Sequence, residues 1–210
     1  METLSKKDFQ AIFSALKSMS ESQKEYLIGL DSVMGDGDLG LTMAAVFKSA
    51  SEFAAEYADD EIGSLVMKAG MTMAKAAPST MGTLMATGFM RAGKALKGKD
   101  TVNAADMADF WRAFTDGIAE RGKSKVGEKT IIDALEPAAR VLAEQASSGA
   151  SLKDAMAAAK DAAFAGVEAT KDMVAQHGRA AYYQEKSRTA QDPGATVGAM
   201  VIQVFADYVA

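Results

Sequence analysis

The sequence predicts an all-α fold of eight helices, and three observations predict it. No segment alternates apolar and polar residues with period two, as a half-buried strand would. Apolar residues recur instead at spacings of three and four, in eight segments of roughly 15 to 25 residues that account for most of the 210. Only 3 of those residues are proline, so long helices run with few interruptions.

Taken in order, the first helix is expected from about Lys6 to Leu30, with Phe9, Ile12, Phe13, Leu16, Met19, Tyr26 and Leu27 on its apolar stripe. The second runs from Leu41 to Tyr57 through Val46, Phe47 and Phe53, and Asp59-Asp60-Glu61 announces the next start with carboxylates suited to a helix N-terminus. The third covers about Ile62 to Ala76 and stops before Pro78, which disfavours helix in the residue preceding it. Ser79-Thr80-Met81-Gly82-Thr83 opens the fourth, which continues through Phe89 to about Leu96. Asn103-Ala-Ala-Asp106 starts the fifth, which runs to about Glu120. The sixth begins near Thr130 and holds Pro137, where a bend is expected. Ser151-Leu-Lys-Asp154 is a variant capping box opening an Ala-rich seventh helix to about Val174. Asp192 as N-cap and Pro193 at the first helical position start the last helix, which carries Val201, Val204 and Phe205.

Consecutive helices joined by short loops run antiparallel, so alternate loops gather at one end. Those loops are Asp31–Gly40, Ala77–Thr83, Arg121–Thr130 and Gln176–Asp192. They are also the four chemically unusual stretches of the chain, which points to one composite site.

The stretch Asp31-Ser-Val-Met-Gly-Asp36-Gly-Asp38-Leu39-Gly40-Leu41-Thr42 is its centre. Two carboxylates about 4 Å apart repel by ~4 kcal/mol at an effective dielectric of about 20, so three that converge need a cation. Carboxylates and a hydroxyl without Cys or His favour a hard, oxygen-liganded ion such as Mg²⁺ over zinc. An EF-hand is excluded, because the twelfth position counted from Asp36 is Phe47 where a bidentate Glu is required. Mg²⁺ keeps positions open for water and phosphate oxygens, and glycines let a backbone approach a bulky ligand, so a metal–phosphate site follows. Gly40-Leu41-Thr42 would open the next helix, whose free N–H groups attract anions. The competing reading is an acidic turn in which Asp36 or Asp38 only caps a helix. The basic loop Arg121–Thr130 reads first as a solvated turn and second as a nucleotide contact. His177 reads as an ordinary loop residue.

A formal charge of −5 argues against a nucleic-acid partner, and 49% apolar with 24% charged residues excludes a disordered chain. Cysteine is absent, which removes disulfides and thiolate chemistry. No stretch approaches about 20 uncharged apolar residues, and the N-terminus lacks the apolar run of a signal peptide, so a single cytoplasmic domain over residues 1–210 with no membrane partner is expected.

Asp31-x4-Asp36-Gly-Asp38-x-Gly40-x-Thr42-Met43 resembles the signature of the nucleotide-binding L subunits of dihydroxyacetone kinases, the DhaL family. Gly127-Glu-Lys129-Thr130-x2-Asp133-Ala134-Leu135, Gly178-Arg179-Ala180-x-Tyr182 and Gln191-Asp192-Pro193-Gly194-Ala195-Thr196 are similar to that family's later motifs, in the same order. The resemblance implies an eight-helix antiparallel barrel with Mg-ADP (or ATP) at one end and Asp31, Asp36 and Asp38 as ligands of a two-metal site. It implies that Leu39, Gly40, Leu41, Thr42, Ser79, Thr80, Gly122, Thr130 or Ile131, Arg179, Asp192, Pro193 and Gly194 line the nucleotide. Arg179 would also serve catalysis by taking transition-state charge, with pairing to Glu185 or Asp192 as the alternative. In the phosphotransferase-system branch the nucleotide is a retained cofactor, rephosphorylated by a phosphoenolpyruvate-dependent phosphodonor subunit. Its γ-phosphoryl passes to dihydroxyacetone held on a separate keto-sugar-binding subunit. The alternatives are an ATP-dependent triose or tetrose kinase subunit and a non-catalytic nucleotide-loaded regulatory module; a homodimer is the assembly considered. Two positions depart from the pattern: Leu39 stands where the family commonly has His, which opens a related triose or tetrose keto-sugar as substrate, and Thr80 stands where it tends to have Gly.

Overall fold

The computed structural model describes residues 2–210. Among the described residues nine α-helices form in chain order: α1 (Lys6–Ser22), α2 (Lys24–Asp31), α3 (Leu39–Glu56), α4 (Ile62–Ala76), α5 (Thr80–Ala95), α6 (Ala104–Gly122), α7 (Ile132–Ser147), α8 (Leu152–Ala169) and α9 (Pro193–Val209). Two 3₁₀ segments, Thr170–Asp172 and Arg179–Ser187, lie between α8 and α9. Among the described residues the only β-type pairing is an isolated bridge between Leu4 and Val102. The all-α expectation holds.

Two boundaries differ from expectation. The first predicted helix is broken at Gln23, whose backbone (φ −95°, ψ 2°) leaves the helical region. Serines cause a local conflict there: the Ser20 and Ser22 hydroxyls donate to the Lys17 and Met19 carbonyls, in competition with the helix's own N–H ladder. The seventh predicted helix ends at Ala169, short of Val174, because the Thr170 hydroxyl turns back to donate to the Val167 carbonyl and the chain tightens into a 3₁₀ turn. Pro137 lies inside α7, and the helix continues across it. The Asp133 carbonyl, deprived of its N–H partner by the proline ring, faces Gly166 of α8, where an added Cβ would come well under 3.0 Å.

Each helix packs on its neighbours in sequence, and α9 packs on α1 as well as α8, which closes the ring. The seam is fastened at the end remote from the acidic loop, where the Tyr208 hydroxyl donates to Asp8 Oδ1 at 2.7 Å. Burial and that carboxylate push the Tyr208 phenol up to about 12. Inside the ring, Phe9 of α1, Phe89 of α5, Phe110, Trp111 and Phe114 of α6, and Phe205 of α9 form one aromatic cluster, with ring centroids 5.1 Å apart for Phe89–Phe114 and 5.5 Å for Phe110–Phe205. Tilted and edge-on pairs of this kind add about 0.5–1.5 kcal/mol each beyond their buried area. The barrel is therefore a packed core, and the loops at its open rim are held by rigid walls. No helix among the described residues is long and apolar enough to cross a membrane.

Candidate functional site

The acidic loop joins α2 to α3. Asp31 is its anchor: the Asp31 carbonyl accepts the Gly35 N–H at 2.6 Å, and its Oδ2 accepts the Asp38 N–H at 3.1 Å. A Cβ on residue 35 would collide with the Asp31 side chain, and Gly37 takes φ +72°, so both positions need glycine. This folding brings one carboxylate oxygen each from Asp31, Asp36 and Asp38 within 4.8 Å of one another. Desolvation, then the charges of Asp36 and Asp31, raise the Asp38 carboxyl above its ordinary range, with Arg179 opposing. Three mutually repelling oxygens on a rigid turn fit a hard divalent cation, which relieves that repulsion.

The first turn of α3, Leu39 to Thr42, follows directly. Asp38 makes no side-chain cap to it, so its opening N–H groups remain available to an anion. Leu39, Gly40 and Thr42 are buried and Leu41 is exposed, which leaves backbone groups and the Thr42 hydroxyl as the polar offering of this turn. Gly40 lets α3 lie against α2, since a Cβ there would overlap the Lys24 carbonyl. Thr42 Oγ1 stands 3.5 Å from Ser79 Oγ, the N-cap of α5, and Thr80 is exposed beside it.

The other loops converge on the same rim. Gly194, in the first turn of α9, sits against Met81 and the Ile131 backbone, and Gly122 sits against Leu84. Ile131 is buried, so only its backbone can face a ligand, whereas Thr130 and Pro193 are half-buried. Asp192 caps α9 by accepting the Ala195 N–H at 2.7 Å, and burial raises its carboxyl to about 7. Arg179 reaches across from the α8–α9 connection and pairs with Asp36 Oδ2 at 2.7 Å. Neither alternative partner, Glu185 or Asp192, is the one it takes; Glu185 pairs with Arg188. Contacts thus link Thr42 with Ser79, Gly194 with Met81 and Ile131, and Arg179 with Asp36.

Three residues quoted only as members of a motif prove to shape and anchor the loop. The Arg121–Thr130 loop is not simply solvated: Lys129 is buried, and its ammonium donates to the carbonyls of Thr170, Met173 and Ala190 at 2.7, 3.3 and 2.6 Å. Glu128 pairs with His177 at 2.8 Å, so His177 is a tether and no mere loop residue. Asp133 accepts the N–H groups of Gly127 and Thr130 at 2.6 and 2.7 Å, and so shapes the loop. Its spacing three residues after Thr130 is the back half of a capping box and was readable as such. The Lys129 role was not, because its acceptors are main-chain atoms 41 to 61 residues away.

Fold and rim together define a class: a closed antiparallel helical barrel with a carboxylate cluster able to hold a cation beside an open helix N-terminus and an arginine. A model of the DAK2 domain matches residues 33–207, and the chain belongs to that family. It is 34% identical over 185 residues to the ADP-binding subunit DhaL of the PEP-dependent dihydroxyacetone kinase of Escherichia coli K12, covering 88% of each chain. It is 30% identical to the L-erythrulose 1-kinase of Mycolicibacterium smegmatis, covering 94% of this chain but 35% of that one. The crystal structure of the C. freundii dihydroxyacetone kinase in complex with AMP-PNP and Mg²⁺ superposes with a TM-score of 0.71 at 26% identity, over 94% of this chain and 33% of that one. The chain thus spans about a third of the length of the two longer kinases and nearly all of the separate subunit.

Proposed function

We propose that this chain is the nucleotide-binding phosphotransfer subunit of a keto-sugar kinase of the dihydroxyacetone kinase type, acting as one domain with a keto-sugar-binding subunit and a phosphoenolpyruvate-dependent phosphodonor subunit. One observation carries the reading: the Asp31, Asp36 and Asp38 oxygens, within 4.8 Å of one another, stand beside the open N-terminus of α3 and face Arg179. Asp31, Asp36 and Asp38 would hold Mg²⁺, two ions in the fullest reading, and the first turns of α3, α5 and α9 would cradle ADP or ATP. When bound, the ions supply neutralisation of phosphate charge. The chain's own residues position: helix N-termini orient phosphate oxygens, and Arg179 offers a forked donor to the transferring group. Such transfer needs no nucleophile from the protein. The similarity to a separate ADP-binding subunit along 88% of both chains supports a division of labour in which the sugar is held elsewhere.

A second reading, an ATP-dependent kinase subunit for a triose or tetrose, is favoured by the buried, apolar Leu39 and by the likeness to an erythrulose kinase. Purification without added nucleotide, followed by denaturation and a count of released nucleotide and Mg²⁺, separates them. Roughly one ADP per chain, slow to exchange, is expected of a retained cofactor. An empty protein that rapidly binds Mg-ATP moves the assignment to the second reading, and one that binds neither overturns both.

A further inference from the structure

The loop between α6 and α7 grips the α8–α9 connection on both sides of Arg179. On the near side, the Glu128 carbonyl accepts the Gln176 N–H at 3.1 Å, and Glu128 Oε2 pairs with His177 Nε2 at 2.8 Å, two residues before Arg179. The same oxygen accepts the Lys125 N–H at 2.9 Å, which fixes the carboxylate on its own loop. The adjacent Lys129 ammonium holds Thr170 and Met173 before Arg179 and Ala190 after it. A protonated amine has three donors, and all three are used. Lys129 reaches this position from a left-handed backbone (φ 60°), a conformation held by the Asp133 carboxylate through Gly127 and Thr130. The loop is thus bolted to α7 before it grips anything else.

The segment's other ties lie away from residues 176–179: the Ser187 hydroxyl accepts the Ala175 N–H at 2.9 Å and the Lys171 carbonyl accepts the Thr189 N–H at 2.7 Å. The segment carries no α-helix between Thr170 and Asp192, and Gly178, Gln184 and Thr189 all take positive φ. Arg179 is exposed, and an exposed ion pair with Asp36 is a weak constraint by itself. We propose that Glu128 and Lys129 are positioning residues, a two-residue clasp that sets Arg179 against the acidic loop and so governs how long the site holds Mg-ADP. The retention part rests on the nucleotide-binding reading above; the clasp itself does not.

The test uses the full chain with Glu128→Ala, Glu128→Gln, Arg179→Ala and the Glu128→Ala/Arg179→Ala pair, and reads Mg-ADP release rate together with amide exchange across residues 174–190. Glu128→Ala is expected to speed release by about tenfold and to raise exchange in that segment while leaving α5 protected, whereas Glu128→Gln, which keeps an acceptor for His177 and Lys125, stays within about twofold of wild type. In the Arg179→Ala background, Glu128→Ala is expected to add less than about twofold, because both changes act through one guanidinium. Unchanged release, or full additivity with Arg179→Ala, overturns the role in retention. Unchanged exchange in the ligand-free protein overturns the clasp. A wild-type protein that binds no Mg-ADP refutes the nucleotide reading instead, and the exchange experiment still decides the clasp.

Discussion

Asp36 shows how a single residue here serves two neighbours. Its carboxylate is one of three that converge on the cation position, and it also pairs with Arg179. Asp36→Asn keeps the size of the side chain and removes its charge, so helical circular dichroism should stay at the wild-type level while nucleotide and Mg²⁺ no longer co-purify; full occupancy in that variant would refute Asp36 as a ligand. Asp192 yields a pH prediction. Its folded carboxyl sits at about 7 against an ordinary value of 3.8, with burial as the main cause, opposed by the Ala195 N–H and by Lys129, whose attraction outweighs the repulsion of Asp133. The folded state therefore binds the extra proton between those values, and the contribution is fully present below about 4 and lost as pH rises through about 7. Every tenfold gain in proton affinity on folding corresponds to about 1.4 kcal/mol. Asp192→Asn retains an acceptor for the Ala195 N–H, so denaturant unfolding of the nucleotide-free protein should show the variant close to wild type at about pH 4 and progressively more stable up to about pH 8. Parallel curves for the two proteins would contradict the assignment.

At the scale of elements, the rim depends on close backbone approach. The α2–α3 corner is tight because Gly40 has no Cβ to strike the Lys24 carbonyl, and the α5 start is tight because Gly82 lies on the Ala77 carbonyl. Gly40→Ala exchanges a helix-favouring residue for an overlap with main chain, and the overlap wins: overpacking costs typically about 1–3 kcal/mol, more than the up to ~1 kcal/mol of propensity gained. The melting temperature should fall, and because the displaced turn carries the phosphate-facing N–H groups, Mg-ADP affinity should fall further than a remote destabilisation of equal size would cause. Phe110→Ala supplies that comparison, since Phe110 is buried in the aromatic cluster away from the acidic loop.

For the whole molecule, a closed ring makes the wall that carries one loop share its core with every other. Phe110 touches rings from α1, α5 and α9, so its truncation to Ala should cost about 3–5 kcal/mol and lower the melting point in one cooperative transition, with Mg-ADP affinity of the folded fraction nearly unchanged. Metal removal reads the opposite end. Ligand that binds only the folded state stabilises it by about 2.7 kcal/mol at one hundred times its dissociation constant, so EDTA added to Mg-ADP-loaded protein should lower the melting temperature and leave the Asp36→Asn variant unmoved.

Much of this was readable along the chain. The 3.6-residue stripe, the Asn103 and Asp192 caps and the Asp31–Asp36–Asp38 cluster are local patterns, and each sits in the structure where its spacing placed it. The break at Gln23 was hidden because an apolar stripe continues through it, and only the serine hydroxyls on the preceding turns betray the competition. The pairing of Arg179 with Asp36, the burial of Lys129 and the tethering of His177 by Glu128 were beyond the sequence, since each joins residues 41 to 143 positions apart. The sequence by itself determined the helices, their antiparallel order and which loops carry charge, because those follow from periodicity and short-range sterics. Only the tertiary structure decided which charge meets which, because ring closure selects among many chemically equivalent partners and no local rule distinguishes them.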